Sequence, residues 1–118
     1  MLLKQAVMQF HYGETVKSFL IAAAGLLAEL AQLSSNESST ALRLCKNYLA
    51  HVKAEIRLAA SVGGLSNLSE VEQKLKEAIW EAHINRPAEA GRLLGEAISL
   101  VVTATEKAAL RLKSENIL

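Results

Sequence analysis

His51 is the side chain with the clearest capacity for chemistry in this sequence. Glu55 follows it by four residues, and on a helix this spacing brings the carboxylate close enough to hold the imidazole ring. A histidine held in this way can exchange a proton near neutral pH. The sequence therefore predicts a titratable pair, His51 and Glu55, and the alternative is a half-exposed helix histidine whose ion pair is purely structural.

Basic residues on the same predicted helix could bind phosphate groups. They lie along one side of it without an acidic residue among them: Arg43, Lys46, Lys53 and Arg57. Arginine and lysine bind phosphates as bidentate forks and point charges. This pattern predicts a contact surface for an anion or a nucleic acid. The alternative is a solvated basic face that acidic residues of the next helix balance, namely Glu70, Glu77 and Glu81.

Two short segments resemble known bundle families. KNYLAH, from Lys46 to His51, resembles the Arg-polar-x-x-x-His element of HEPN-type RNase bundles, with Lys46 where that family has Arg. This resemblance implies RNA cleavage at His51, and phosphorelay bundles, which present a histidine in a comparable way, imply phosphotransfer there. AEAGRLLGEAI (88–98) is similar to part of the bundle family encoded in ribosomal-RNA intervening sequences. Each resemblance covers a small part of the chain, so we assign it to no family.

The acidic residues argue against several catalytic classes. All 12 are Glu, which removes mechanisms with an aspartate nucleophile and disfavours Ca²⁺ or Mg²⁺ sites. Di-iron bundles need inward Glu-x-x-His pairs, and Glu precedes none of the three histidines at that spacing. A phosphate-binding Gly-rich loop is also missing. We therefore predict no catalytic residue, no metal site and no cofactor; the sequence leaves enzymatic activity open but favours its absence.

The elements that carry these residues are predicted to be helices. With one Pro, six Gly and 4% aromatic residues in 118, the composition is typical of an all-α fold, and the length suits one core, a single domain over residues 1–118. Apolar residues recur at helical spacing in four segments, and short connections join them. The sequence therefore predicts an up-down-up-down four-helix bundle.

Breaks in the apolar pattern predict where each helix begins and ends. The first helix spans 2–33, either continuous or hinged at Gly13. The second begins near 36 after a capping-box spacing of Ser34 and Glu37, and ends at Gly63 and Gly64. The third follows another capping-box spacing, Ser69 and Glu72, and runs to about 84. The fourth begins near Pro87.

The first and last helices contain more apolar surface than one bundle can bury. Only Gly25, Glu29 and Gln32 interrupt the apolar stretch from Phe19 to Leu33. Small residues form a track on each of these helices, and Trp80 and Ile84 project away from the inner line of the third. These features predict self-association, or contact with another protein, through Trp80, Ile84, Gly91, Gly95, Ala24 and Ala28. The alternatives are packing inside the bundle and, for Trp80, burial under residues 1–10.

Charge and cysteine usage set the remaining expectations. A net charge of +1 gives no general attraction to a polyanion or a membrane surface, and the apolar stretch is too short to span a bilayer. Cys45 is the single cysteine, so no internal disulfide can form and we expect a cytoplasmic location. The leading hypothesis is a non-enzymatic, homo-oligomeric interaction module, and the runner-up is a nucleic-acid-associated bundle.

Overall fold

The computed structural model describes residues 1–66 and 68–118, and within them the chain forms four α-helices and no β-strand. Their bounds are α1 Leu3–Leu30, α2 Ser35–Ser61, α3 Leu68–His83 and α4 Pro87–Ser114. The helices form an elongated bundle with extents of 53 × 23 × 17 Å. The predicted all-α fold is confirmed.

Each helix packs against the helices next to it around the bundle. α1 contacts α2 and α4, and α3 contacts the same two helices. Three contacts show that neighbouring helices run antiparallel. Gln9 near the start of α1 contacts Gly64 just after α2, Lys74 of α3 contacts Glu96 of α4, and Arg111 near the end of α4 contacts the backbone of Met1. This is the up-down-up-down arrangement that the short connections predict.

The core consists of one buried line from each helix. On α2 the apolar residues that recur at steps of three and four form the buried seam that the sequence predicts: Leu42, Cys45, Leu49, Val52, Ile56 and Ala59. Leu42 is half-buried and the other five are buried. On α3 the whole predicted line from Leu68 to Ala82 is buried. Steps of three and four residues place each line along one side of its helix, so the pattern identifies the buried side.

α1 passes through Gly13 without a break, so the continuous helix is the correct one of the two alternatives. Gly13 is buried, and a Cβ atom added there would lie 1.8 Å from Cγ2 of Thr105 on α4. The glycine therefore permits a close approach of two helices, which explains its place in a helix better than a hinge does.

The two predicted capping boxes are not formed. Ser34 is the N-cap of α2, but its hydroxyl donates to Glu37 Oε1 (2.8 Å), so it does not accept from a backbone N–H. Ser69 lies inside α3 because that helix already begins at Leu68, and the predicted connector includes Asn67, which lies outside the described residues.

Asparagine in the left-handed conformation ends α3. Asn85 has φ 62°, the Arg86 N–H donates to the Glu81 carbonyl oxygen (2.8 Å), and the Asn85 N–H donates to that of Ala82 (3.1 Å). This pair of bonds is a Schellman motif. Pro87 follows at the first turn of α4, where its missing N–H is not needed, as the sequence predicts.

Candidate interaction surface

The outward side of α1 is an apolar surface that the bundle leaves uncovered. Ile21 is 52% exposed and Leu26 is 42% exposed, and Ala22, Gly25 and Ala28 are exposed between and beside them. The predicted polar line of α1 runs through the middle of this exposed side. The apolar surface therefore extends beyond the polar line on both flanks, towards α2 and towards α4.

The small residues of α1 and α4 come together at the junction of the two helices. Counting along antiparallel helices from the Gly13–Thr105 contact places Ala24 beside Gly95 and Ala28 beside Gly91, to within about one residue. Ala28 and Gly95 are exposed, Gly91 is half-buried, and Ala24 is half-buried against the core. We call the exposed surface on this side the α1/α4 face; it comprises Ile21, Gly25, Ala28, Gly91, Gly95 and Val102.

The glycines divide into those that the subunit needs and those that it does not. An added Cβ at Gly63 would lie 2.6 Å from the Ala59 carbonyl oxygen, and Gly64 has φ 70°, so packing or backbone conformation requires both. By contrast, an added Cβ at Gly25, Gly91 or Gly95 would meet no atom within 4 Å. All three sit inside helices on the α1/α4 face, where nothing in the subunit requires a glycine.

An apolar groove lies on the other flank of α1, against the first half of α2. Its volume is about 180 Å³, and its walls include Leu26, Leu33 and Leu44, with Cys45 below them. Leu44 is 64% exposed. Burial raises the pKa of the Cys45 thiol, so the thiol stays protonated at neutral pH and acts as an apolar group. The sequence pattern does not predict this groove, although Leu44 falls outside the buried seam of α2, which indicates that it is exposed.

Trp80 lies on a separate surface. It is 59% exposed on α3, its ring centroid is 5.7 Å from that of His83, and Ile84 beyond it is also exposed. The first ten residues of α1 lie at the opposite end of the bundle, next to the C-terminal part of α4. The alternative in which Trp80 is buried under residues 1–10 is therefore wrong.

The predicted basic face is partly engaged in contacts with α3. Arg57 forms an ion pair with Glu72 (2.9 Å), and Lys46 Nζ donates to Nδ1 of His83 (2.9 Å). Arg43 and Lys53 contact no acidic partner in the described part of the chain. The expected balancing residues are also different, because Glu72 pairs with the basic face whereas Glu77 lies near Lys74 and Glu81 near Arg86.

His51 and Glu55 form the expected pair, but loosely. His51 Nε2 lies 4.0 Å from Glu55 Oε1, and the histidine side chain is 61% exposed. Its ring and that of Phe19 on α1 are nearly perpendicular, with the ring centroids 5.9 Å apart. Within the described residues no third group extends this pair into a catalytic arrangement.

An ion network lines the border between α3 and α4. Arg92 contacts Glu89 and Glu96, each at 2.5 Å, and Lys74 Nζ lies 2.8 Å from Glu96 Oε2. Hydrogen bonding to Arg92 lowers the pKa of Glu89, and hydrogen bonding to Lys74 lowers the pKa of Glu96. The network holds α4 against α3. On the opposite edge of α4, at the α1/α4 face, Gly91, Gly95 and Val102 are uncharged, and Glu106 follows one turn beyond Val102.

The chain resembles no known protein closely enough to suggest a function. Comparison with protein-family models, with curated proteins and with solved structures finds no match. None of the helices that the structure describes combines the length and the apolar character needed to cross a bilayer. Among the described residues no three His, Cys or Glu side chains are grouped so that they could hold a metal ion. The surfaces described above are therefore the only basis for a functional proposal.

Proposed function

We propose that this protein is a protein-interaction module that associates with copies of itself through the α1/α4 face. The observation that carries the proposal is that large exposed apolar side chains and otherwise unneeded glycines occupy the same face. Ile21 and Val102 stay exposed there, and Gly95, Gly25 and Gly91 follow Ile21 along the same face, on the side away from Val102. A helix of a second copy that packed closely on this face would bury the exposed apolar side chains, and the glycines would permit that close approach.

The glycines support the proposal through their energetic cost. A glycine inside an exposed helix is about 1 kcal/mol less favourable than alanine. Three such positions together lower the stability by about 3 kcal/mol, which is a large part of the 5–15 kcal/mol typical of a folded domain. The isolated subunit gains no packing in return, whereas close contact with a partner would offset the cost.

The accessible surface area of the subunit also supports self-association. A compact monomer of 12.7 kDa exposes about 6,200 Å², and this chain exposes 6802 Å². An elongated bundle leaves more of its helix sides uncovered than a compact subunit does. A module of this kind needs no cofactor, and its single buried cysteine suits the cytoplasm, where we propose that it acts.

Light scattering after size-exclusion chromatography tests the proposal. We expect the wild-type mass to rise from monomer towards dimer at micromolar concentration. Ala28→Glu places a charge on the α1/α4 face and should weaken association at least about tenfold, because an unpaired charge is costly to bury. Ala54→Glu is the matched control, since Ala54 is also an exposed alanine in the middle of a helix, on α2. A monomer at every concentration would contradict the proposal.

A second test uses the opposite effects expected of one substitution. Gly95→Ala should raise the unfolding free energy of the monomer by about 1 kcal/mol through helix propensity. The same methyl group should weaken self-association because it blocks close approach at the α1/α4 face. If Gly95→Ala stabilised the monomer and left association unchanged, the partner would lie on another surface.

Trp80 reports which surface is covered. It is the single tryptophan, and it lies on α3 rather than on the α1/α4 face. We expect its fluorescence emission to stay that of a solvent-exposed indole while the chain self-associates. A blue shift with increasing concentration would assign self-association to α3 instead. If the emission does not shift, Trp80 and Ile84 remain available for contact with a different protein, which is the second part of the sequence hypothesis.

Nucleic-acid binding by α2 is the second candidate function. It is supported by Arg43 and Lys53, which contact no acidic partner among the described residues. Because only these two cations are free to contact phosphates, we expect weak binding that depends little on salt. The slope of log affinity against log salt concentration should be about −2 or less steep. A mobility shift with RNA or DNA that disappears in Arg43→Ala/Lys53→Ala would favour this function, and no shift at low salt would exclude it.

A further inference from the structure

We infer that a single-stranded nucleic acid binds along the border between α2 and α3, with its phosphates on Arg43 and Lys53 and a base stacked on Trp80. This inference rests on the second candidate function, nucleic-acid binding by α2, and it does not depend on self-association through the α1/α4 face. It adds an aromatic residue of α3 to the basic face and specifies which form of nucleic acid fits.

Two contacts at different heights define the register of α2 against α3. Lys46 Nζ donates to Nδ1 of His83 (2.9 Å), and Arg57 forms an ion pair with Glu72 (2.9 Å). Moving eleven residues forward along α2 moves the contact eleven residues back along α3. Antiparallel helices with the same rise per residue behave in this way. The register therefore holds over the whole border between these two contacts.

This register places an exposed aromatic ring between two cations. Trp80 lies at the height of residue 49 of α2, about 9 Å along the helix axis from Arg43 and about 6 Å from Lys53. It is 59% exposed, and it contacts the ring of His83, which faces α2. Phosphates and bases also alternate along a nucleic-acid strand, so a strand on this border can contact both cations and stack a base on the ring.

Positive charge is concentrated on this border. Five cations lie along it: Arg43, Lys46, Lys53, Arg57 and Lys76. Within the described residues Glu72 is the carboxylate that lies among them. The other eight cations of the chain are accompanied by eleven glutamates. The border is therefore strongly positive although the whole chain has a net charge of +1, and it attracts a polyanion locally.

Lys53 and Lys76 show that this charge is not neutralised within the subunit. The register places the two lysines opposite each other across the border. Glu72 lies 3.9 Å from Lys76, but it pairs more closely with Arg57, at 2.9 Å. Two ammonium groups that face each other repel, and a phosphate bound between them would offset that repulsion.

The exposed ring of Trp80 favours a single strand over a duplex. The bases of a duplex are stacked on one another, so a ring on the protein surface meets mainly its sugars and phosphates. An unpaired base can stack on an indole, which strengthens binding about 5- to 150-fold. Stacking releases no counterions, so Trp80 should add affinity without changing the salt dependence.

Fluorescence titration tests this inference, because Trp80 is the single tryptophan. A single-stranded thymidine oligonucleotide should quench the emission, because a stacked base quenches an indole. The duplex that it forms with its complement should bind more weakly and quench less. In a mobility-shift assay, Trp80→Ala should weaken binding of the single strand about tenfold and leave the slope of log affinity against log salt unchanged.

Substitutions of the cations should have the opposite signature. Arg43→Gln/Lys53→Gln should make the salt slope less steep, because it removes the phosphate contacts. Lys107→Gln/Lys113→Gln is the matched control, since it removes two exposed cations of α4 that lie away from this border. The control should bind the single strand as the wild-type chain does, and equal weakening in both double variants would overturn the inference.

The other outcomes separate this inference from the function on which it rests. No binding of either nucleic acid at low salt would overturn both. Binding that is lost in Arg43→Gln/Lys53→Gln but does not quench Trp80 would support nucleic-acid binding by α2 and overturn the inference, as would tighter binding of the duplex. Polyphosphate carries charge but no bases. If it bound as tightly as the oligonucleotide, the border would recognise charge alone, as on an acidic protein, and the inference would be wrong.

Discussion

Gly13→Ala measures how closely α1 and α4 approach, and the register of the α1/α4 face depends on that contact. The added Cβ would lie 1.8 Å from Cγ2 and 3.2 Å from Cβ of Thr105. Two carbon atoms in ordinary contact are about 3.5–4.0 Å apart, so the Thr105 methyl group has to move by about 2 Å. Thr105 is 7% exposed and its hydroxyl donates to the Val101 carbonyl oxygen (3.1 Å), which restricts that movement. We expect this crowding to cost about 1–3 kcal/mol.

Gly25→Ala separates the crowding from the intrinsic preference of alanine for a helix. Replacing a helical glycine by alanine stabilises by about 1 kcal/mol, and a Cβ at Gly25 meets no atom within 4 Å. Gly25→Ala should therefore raise the free energy of unfolding by about 1 kcal/mol. Gly13→Ala should lie about 1–3 kcal/mol below Gly25→Ala, which is between no change and a loss of about 2 kcal/mol relative to the wild-type chain.

Urea unfolding followed by far-UV circular dichroism measures these differences, at a concentration where the midpoint no longer depends on concentration. Thr105→Ser lacks Cγ2, so in the Gly13→Ala background it should recover part of the lost free energy. The reasoning is refuted if Gly13→Ala stabilises the chain as much as Gly25→Ala does. In that case α1 and α4 would not be in contact at this level, and the register that joins Gly91 and Gly95 to Ala28 and Ala24 would be wrong.

Three further predictions concern a helix end, the buried thiol and the ion network. Asn85→Gly should leave the free energy of unfolding unchanged or raise it, whereas Asn85→Ala should lower it by about 1 kcal/mol in urea unfolding, because alanine is strained at positive φ. Since burial raises the pKa of Cys45, its native thiol should react slowly with a thiol reagent at neutral pH, and rapid labelling at pH 7 would contradict its burial. The contribution of the protonated thiol to the free energy of unfolding should be lost only as the pH rises above 9.0, its ordinary pKa. The pKa values of Glu89 and Glu96 are lowered, so their contribution to the free energy of unfolding is present above the ordinary pKa of 4.5 and is lost as the pH falls through the lowered values. In Arg92→Gln the loss of stability on acidification should be smaller than in the wild-type chain. If both proteins lost the same stability between neutral and acidic pH, the network would not be formed in solution.

Local pattern was sufficient to predict the helices and their buried lines. Leu49, Val52 and Ile56 recur at steps of three and four, and Pro87 is compatible only with the first turn of a helix. These properties depend on residues close together in the chain. The predicted capping box at Ser69 failed because the start of a short helix depends on how its first turn packs, and Leu68 is already buried in the core.

Contacts between helices could not be predicted in the same way. Arg57 pairs with Glu72 and Lys46 with His83 because of the register of α2 against α3, which no spacing along the chain defines. For the candidate surface, the composition of α1 predicted surplus apolar area but did not identify the groove beside Leu44. The groove is formed by residues of α1 and α2 together, and no spacing along either helix defines their register against each other.

The sequence by itself determined an all-α bundle, because the period of its apolar residues is a local property that each helix carries alone. The polar line of Gly25, Glu29 and Gln32 already indicated the centre of the exposed side of α1. Tertiary structure decided how much apolar surface stays uncovered on either flank of that line, because this depends on where α2 and α4 pack. It also decided which glycines are needed for packing. Gly13 and Gly25 are both glycines in the same helix, and only the position of α4 makes the first a close contact and leaves the second open.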